Sequence, residues 1–208
     1  FILLSTYTTG RAVTIDRIAV VVYNHVIKDS DIDRDIRLVS FLNDEHADFS
    51  MENRRASASR LIDQQIIRRE IDAGEYPQPS SAEIQKTIDE LKKNRYHSAS
   101  ASSHALHQYS LTSQQLVQYV RWQLAVLKFI DLRFRPSVQV TEDDIQSYYK
   151  AHLDQLRQEN PGTPHSLNAL HDQIEQAIAG ERINQEFYDW LARRRKSAKP
   201  QFHEESLQ

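Results

Sequence analysis

The segment Arg17-Ile-Ala-Val-Val-Val-Tyr-Asn-His-Val-Ile-Lys-Asp-Ser-Asp-Ile32 decides how the fold begins, because its pattern changes from that of strands to that of a helix. The run from residue 15 to residue 22 is short and rich in β-branched side chains, which predicts a strand. Residues 23–25 have turn chemistry, with Asn24 suited to a left-handed backbone. Residues 26–28 form a return strand, so the sequence predicts an N-terminal β-hairpin.

Amphipathic helices are predicted after the hairpin, because apolar residues recur at three- and four-residue steps. Asp29 and Ser30 are N-cap candidates for the first helix. Ser80 and Glu83 form a capping box for the third. The helices are predicted over residues 31–43, 52–73, 80–91, 111–135, 141–157 and 167–196.

The remaining segments predict loops and a terminal strand. Residues 96–110 are rich in Ser, Ala and His, and they predict a surface loop that could contain one helical turn. Phe202 lies in a short tail after Pro200 that could add a strand to the hairpin. The expected fold is therefore mainly α, with a small β element.

Composition excludes several classes of protein. The chain has 208 residues and no cysteine, so thiolate sites are excluded. Its four glycines disfavour glycine-rich phosphate loops. Its 26 Lys and Arg oppose 29 Asp and Glu, a net charge of −3 that disfavours nucleic acid as a partner. No apolar run reaches the roughly 20 residues that a membrane-spanning helix needs.

Polar clusters give no catalytic or metal site. The densest histidine group is His97, His104 and His107, in a Ser-rich setting typical of a solvated loop. Acidic residues at the start of a helix are usually capping residues, and this is the interpretation for Asp16, Asp31, Asp33 and Asp35. The sequence thus predicts no catalytic residue, no metal, no cofactor and no enzymatic activity.

The helix over residues 111–135 has an apolar surface that is wider than one stripe. Six apolar positions share one face, and four others widen it: Leu116, Val120, Leu124, Leu127, Ile130 and Phe134, then Val117, Trp122, Val126 and Phe129. Such a helix packs on two sides or offers one side to a partner. The candidates for an apolar binding groove are aromatic, because rings give a large contact area at low entropic cost. They are Tyr119, Trp122, Phe129, Phe187 and Trp190.

The order of these segments resembles SurA and related PpiC-type periplasmic chaperones. The opening hairpin with its acidic cap is similar to theirs, and Leu61-Ile-Asp-Gln-Gln-Ile-Ile67 resembles their Gln-rich second helix. Residues 111–136 and 140–149 are similar to the family's long helix and the helix after it. The resemblance covers most of residues 15–203.

The family usually carries a parvulin prolyl isomerase domain before its C-terminal helix. Here residues 159–166 occupy that position, which is too short for such a domain, and parvulin signatures are absent. The resemblance therefore implies a chaperone module without isomerase activity. Its implied role is to bind unfolded or extended outer-membrane or secreted client proteins without ATP, in the periplasm or cell envelope of a bacterium.

The expected organisation is a single chaperone domain over residues 13–208, preceded by an apolar tail over residues 1–12. Residues 10–12 loosely match a signal cleavage site; the alternative is an ordinary disordered or strand-forming tail. A homodimer through strand or tail exchange is a further option. The alternative function is a helical scaffold or adaptor that binds one folded partner in the cell envelope.

Overall fold

The structure of the protein is a computed structural model, which describes residues 16–96, 98–159 and 166–207. Within these residues it has seven α-helices and a three-stranded sheet, which confirms the predicted mainly α fold with a small β element. The strands are β1 (Ile18–Val22), β2 (His25–Lys28) and β3 (Gln201–Phe202). The helices are α1 (Asp29–Asn43), α2 (Met51–Ala73), α3 (Ser81–Arg95), α4 (Ala99–Gln108), α5 (Ser113–Phe134), α6 (Glu142–Glu159) and α7 (Leu167–Ala198).

The sheet joins the two ends of the described chain. β1 is central and pairs antiparallel with β2 on one side and with β3 on the other, where Val20 lies opposite Phe202. The predicted hairpin and the predicted C-terminal strand are both present. The left-handed residue of the turn is Tyr23, with φ 52°, rather than Asn24 as predicted.

The start of α1 also differs from the prediction. Its N-cap is Lys28, not Asp29 or Ser30, and the carboxylate of Asp31 accepts a hydrogen bond from the Lys28 amide at 3.0 Å. Asp29 is instead bonded by arginines, Arg17 at 3.0 Å and Arg54 at 3.2 Å. A carboxylate at the start of a helix can either cap the helix or form an ion pair, and local sequence did not distinguish these two roles.

The second and third helices agree with the sequence. α2 ends at Gly74, whose backbone is extended rather than left-handed. A β-carbon at Gly74 would lie 2.5 Å from the Tyr76 ring, so glycine is needed there for close approach. α3 begins with the predicted capping box of Ser80 and Glu83.

The predicted surface loop over residues 96–110 is wrong, because the structure has helix α4 there. Leu106 and Ser102 of this helix are buried. Tertiary burial of one leucine turns a Ser-rich segment of weak local preference into a helix.

Buried apolar side chains form three clusters. The first, the main core, joins β1, β2, α1, α2, α5, the C-terminal half of α7 and Leu207. The second joins α1, α3, α4 and α5. The third joins α6 to the N-terminal half of α7 and contains Ile145, Leu156 and Ile174. Because α5 belongs to the first two clusters, its wide apolar surface is largely used in packing on two sides.

Two predicted segments lie outside the described residues: the tail over residues 1–12, and all but the two ends of the linker over residues 159–166. Among the helices that are described, none combines the length and the apolarity that crossing a bilayer would require.

Candidate functional site

An open groove of about 250 Å³ lies between β2, α1, α2 and α5. Its apolar lining includes Ile27, Leu38 and Leu61, one from each of three elements. Tyr119 and Trp122 of α5 also line it. The groove therefore forms where the hairpin packs against the helices, and it includes two of the five aromatic residues predicted for a binding groove.

The groove continues into two neighbouring depressions. One of about 660 Å³ shares Arg68, Gln118 and Trp122 with it. Another, of about 380 Å³ beside the hairpin turn, shares His25 and Arg68 among its lining residues. Since Arg68 lines all three, the depressions adjoin at this arginine and form one surface. We call this surface the α2–α5 groove.

The aromatic side chains of the groove are half-buried. Trp122 is partly buried and packs against the main core. The Arg68 guanidinium lies over its ring, 4.7 Å from the ring centroid. Burial raises the pKa of the Tyr119 hydroxyl, and the neighbouring Asp35 carboxylate adds to that effect. Both rings are therefore held by the protein, with part of each open to a ligand.

Side-chain amides line the groove beside these rings. Gln64 and Gln65 come from α2, and Gln115 and Gln118 come from α5. The oxygen of Gln115 accepts hydrogen bonds from Thr112 in the capping box of α5. Within the described part of the chain, the amides of Gln64, Gln65 and Gln118 have no hydrogen-bond partner. They can therefore donate to and accept from a bound polypeptide backbone.

The acidic residues at one end of the groove already have partners. Asp35, 8% exposed, accepts hydrogen bonds from Arg60 at 2.6 and 3.0 Å. Asp31 pairs with Arg34 at 3.1 Å. The capping interpretation of the acidic cluster holds for Asp16 and Asp31, whose carboxylates accept hydrogen bonds from the amides of Ser30 and Lys28. Asp33 and Asp35 instead form ion pairs with α2, Asp33 with Arg54 at 2.7 Å.

Three of the predicted groove aromatics are core residues instead: Phe129, Phe187 and Trp190. Phe129 is fully buried and lies 5.4 Å from Trp190, and Phe187 stacks with Trp190 at 6.0 Å between ring centroids. The reason is the meeting of α5 with α7, which sequence periodicity within each helix does not reveal. These three rings stabilise the fold and do not line the groove.

Sequence reasoning missed the polar half of the groove. Arg68, Gln64 and Gln118 had no role assigned to them, because a polar helix face is usually solvated. The one signal was the Gln-Gln pair at residues 64 and 65, which lies between the apolar pairs Leu61-Ile62 and Ile66-Ile67.

The histidine group predicted as a solvated loop lies partly outside the described residues, since it includes His97. His104 and His107 are exposed on α4. A different group, His171, Asp172 and Glu175, could bring one ligand atom each within 4.8 Å of one another. His171 is hydrogen-bonded to Glu142 at 3.0 Å, so this exposed group is explained as a contact between α6 and α7.

Comparison with known proteins does not assign the chain to a family: no protein-family model matches the sequence, and no curated protein matches it. Function is therefore inferred from the groove and from the resemblance in sequence pattern.

Proposed function

We propose that this protein is an ATP-independent holdase chaperone that binds unfolded or extended client polypeptides in the α2–α5 groove. The proposal rests on the combination, in one groove, of half-buried Tyr119 and Trp122 with glutamine amides that have no hydrogen-bond partner among the described residues. Rings bind apolar or aromatic client side chains, and amides bind the client backbone.

This combination favours extended chains over one fixed ligand. Backbone amide and carbonyl groups occur in every polypeptide, so glutamine side chains that bond to them impose little sequence preference. A partly buried ring is already ordered by packing against the protein, so it loses little conformational entropy when a client side chain packs on it. Weak contacts spread along an open groove allow the client to leave when it folds.

The proposed class and location come from the resemblance to SurA and PpiC-type proteins. The helical fold with its N-terminal hairpin and C-terminal strand is consistent with that resemblance. On this basis we propose a bacterial periplasmic or cell-envelope location and no enzymatic activity. A refolding reaction limited by proline isomerisation should accordingly proceed at its uncatalysed rate when the protein is added.

The proposal is tested by aggregation and by peptide binding. At near-stoichiometric ratio and without ATP, the protein should slow the aggregation of several unrelated unfolded clients. Trp122→Ala should weaken the binding of aromatic peptides about tenfold, as loss of a central aromatic anchor does. Fluorescence anisotropy with labelled peptides measures this, and circular dichroism checks that the variant is folded.

The matched control is Tyr188→Ala, which removes an aromatic ring that is 63% exposed on α7, away from the groove. It should leave peptide binding unchanged. Failure to protect any client, or equal weakening by both substitutions, would overturn the proposal. A peptide library separates the adaptor alternative, because an adaptor would select one sequence while a holdase accepts many.

A further inference from the structure

The α2–α5 groove contains arginines without acidic partners. Within the described part of the chain, no ion pair involves Arg68 or Arg69 of α2 or Arg121 of α5, although the three other arginines of α2 are all paired. Arg54, Arg55 and Arg60 each contact a carboxylate at 3.2 Å or less. The unpaired set lies along one surface, because Arg68 lines all parts of the groove while Arg69 and Arg121 line its two depressions.

Aromatic rings orient two of these arginines. The Arg68 guanidinium lies 4.7 Å from the centroid of the Trp122 ring, and that of Arg69 lies 4.2 Å from the Tyr23 ring. Stacking uses the face of the guanidinium and leaves the N–H groups at its edge free to donate. Such an edge matches a carboxylate, which can accept two hydrogen bonds from it.

The acidic residues of the groove do not neutralise these arginines. Asp31 and Asp35 are already paired with Arg34 and Arg60. Asp72 also lines both depressions, but its one negative charge is smaller than the three positive charges of Arg68, Arg69 and Arg121. The open part of the groove therefore carries an excess of positive charge in a protein whose net charge is −3.

We propose that the groove selects extended polypeptide segments in which acidic side chains flank an aromatic residue. This inference depends on the proposed holdase function and names the client chemistry of the same site. The client ring packs beside Trp122 and Tyr119, the client backbone bonds to the glutamine amides, and client Asp or Glu carboxylates pair with Arg68 and Arg121.

An aromatic ring beside arginines is also typical of single-stranded nucleic acid sites. Among the described residues the Asp72 carboxylate has no ion-pair partner, and it lines the same surface, so it would repel a continuous phosphate backbone. A polypeptide with spaced carboxylates avoids that repulsion, because its charge is not continuous. The observations therefore favour an acidic peptide.

The test uses two fluorescein-labelled peptides with amidated C-termini and identical aromatic residues. One has glutamates beside the aromatic residue, and the other has glutamines at the same positions. Fluorescence anisotropy should give about fivefold tighter binding of the glutamate peptide at low ionic strength, since exposed ion pairs contribute modestly. The difference should disappear near 0.5 M salt, roughly where screening removes such pairs.

Arg68→Gln and Arg121→Gln should each lower the affinity for the glutamate peptide more than the affinity for the glutamine peptide, so that the preference for the glutamate peptide falls. The matched control is Arg193→Gln, which removes the same charge from an exposed position of α7 outside the groove. It should leave the preference intact. Circular dichroism confirms that each variant is folded.

Four other outcomes would contradict the inference. Equal affinity for the two peptides in the unsubstituted protein overturns this inference and leaves the holdase proposal standing. Absence of binding to either peptide overturns both. If Arg193→Gln lowers the preference as much as the groove variants do, the effect is general charge attraction, and the inference is wrong. Tighter binding of a single-stranded oligonucleotide than of the glutamate peptide likewise overturns it.

Discussion

At the scale of single residues, position around a helix decides what an apolar side chain does. Phe129 and Leu127 are two residues apart on α5, yet Phe129 is fully buried and Leu127 is 61% exposed. Two residues correspond to about 200° around a helix. Phe129 contacts Tyr76, Phe134 and Trp190 with ring centroids 5.0 to 5.9 Å apart. Apolar residues in one sequence stretch therefore serve either the core or the surface.

Phe129→Ala should lower the free energy of unfolding by about 3–5 kcal/mol, because it removes a buried ring from a packed aromatic cluster. Leu127→Ala is the matched control on the same helix and should change it by no more than about 0.5 kcal/mol. Urea denaturation followed by circular dichroism measures both. A loss below about 1 kcal/mol for Phe129→Ala would contradict its placement in the core.

At the scale of helices, α6 and α7 form a pair with their own small core. α6 has a non-helical backbone at His152, so it bends along its length. Beside the apolar contact, Arg182 of α7 bonds to Asp144 of α6, and His171 of α7 bonds to Glu142 of α6. The guanidinium of Arg182 lowers the pKa of the Asp144 carboxyl. Polar contacts thus fix the two helices at their exposed edges.

The contact of His171 predicts a pH dependence for this pair. Hydrogen bonds to Glu142 and Asp172 raise the pKa of His171 above its ordinary value of 6.5. A raised pKa in the folded state means that the contribution to stability is complete below pH 6.5 and is lost as pH rises through the folded value. His171→Ala should therefore lower Tm more at about pH 5.5 than at about pH 8.5.

The control for this prediction is His104→Ala, since His104 is exposed on α4 and, among the described residues, its ring is hydrogen-bonded to Gln108 of the same helix alone. That variant should show little difference from the unsubstituted protein at either pH. Thermal unfolding followed by circular dichroism gives each Tm. A larger effect of His171→Ala at the higher pH would mean that the histidine does not stabilise the pair through its charged form.

At the start of α3, the Glu83 carboxylate of the capping box also forms an ion pair with Lys128 of α5. The amide and hydroxyl of Ser80 donate to the Glu83 carboxylate at 2.7 and 2.8 Å, and Lys128 lies 2.8 Å from the same side chain. These hydrogen bonds lower the pKa of Glu83 from 4.5 to about 2, and the hydrogen bond from Lys128 has the largest effect. The contribution of Glu83 to stability is therefore present above pH 4.5 and is lost as pH falls toward about 2.

At the scale of the whole molecule, the C-terminal segment completes the sheet and the main core. β3 pairs with β1, and Leu207 is 1% exposed among residues of the hairpin and α2 and α7. Arg55 of α2 also pairs with Glu204 at 2.8 Å. Residues near the two ends of the described chain are thus held in one cluster.

A chain shortened to end at Lys199 should lose about 2–5 kcal/mol of unfolding free energy, as deletion of a buried leucine does, and should associate with itself through the uncovered edge of β1. Denaturation and size-exclusion chromatography measure the two effects. Phe202→Ala is the control, because its ring is 47% exposed and its backbone pairing is kept. An unchanged stability of the shortened chain would show that Leu207 contributes nothing to the core.

The sequence predicted most of the fold but only part of the groove. Local signals, such as β-branched runs, the capping box at Ser80 and three- to four-residue apolar steps, predicted the hairpin and six of the helices. The α4 helix was missed because its stability comes from burial of Leu106 against other elements. Of the predicted groove residues, only Tyr119 and Trp122 line the α2–α5 groove.

The hairpin and six of the seven described helices were determined by the sequence alone, because their hydrogen bonds and side-chain periodicity join residues close in the chain. Which aromatic rings face a ligand, and which arginines lack a carboxylate, was decided only by the tertiary structure. Those properties depend on how α2, α5 and α7 meet, and residues such as Arg68 and Trp122 are 54 positions apart in the sequence. Packing between distant elements, which no local pattern encodes, therefore creates the site.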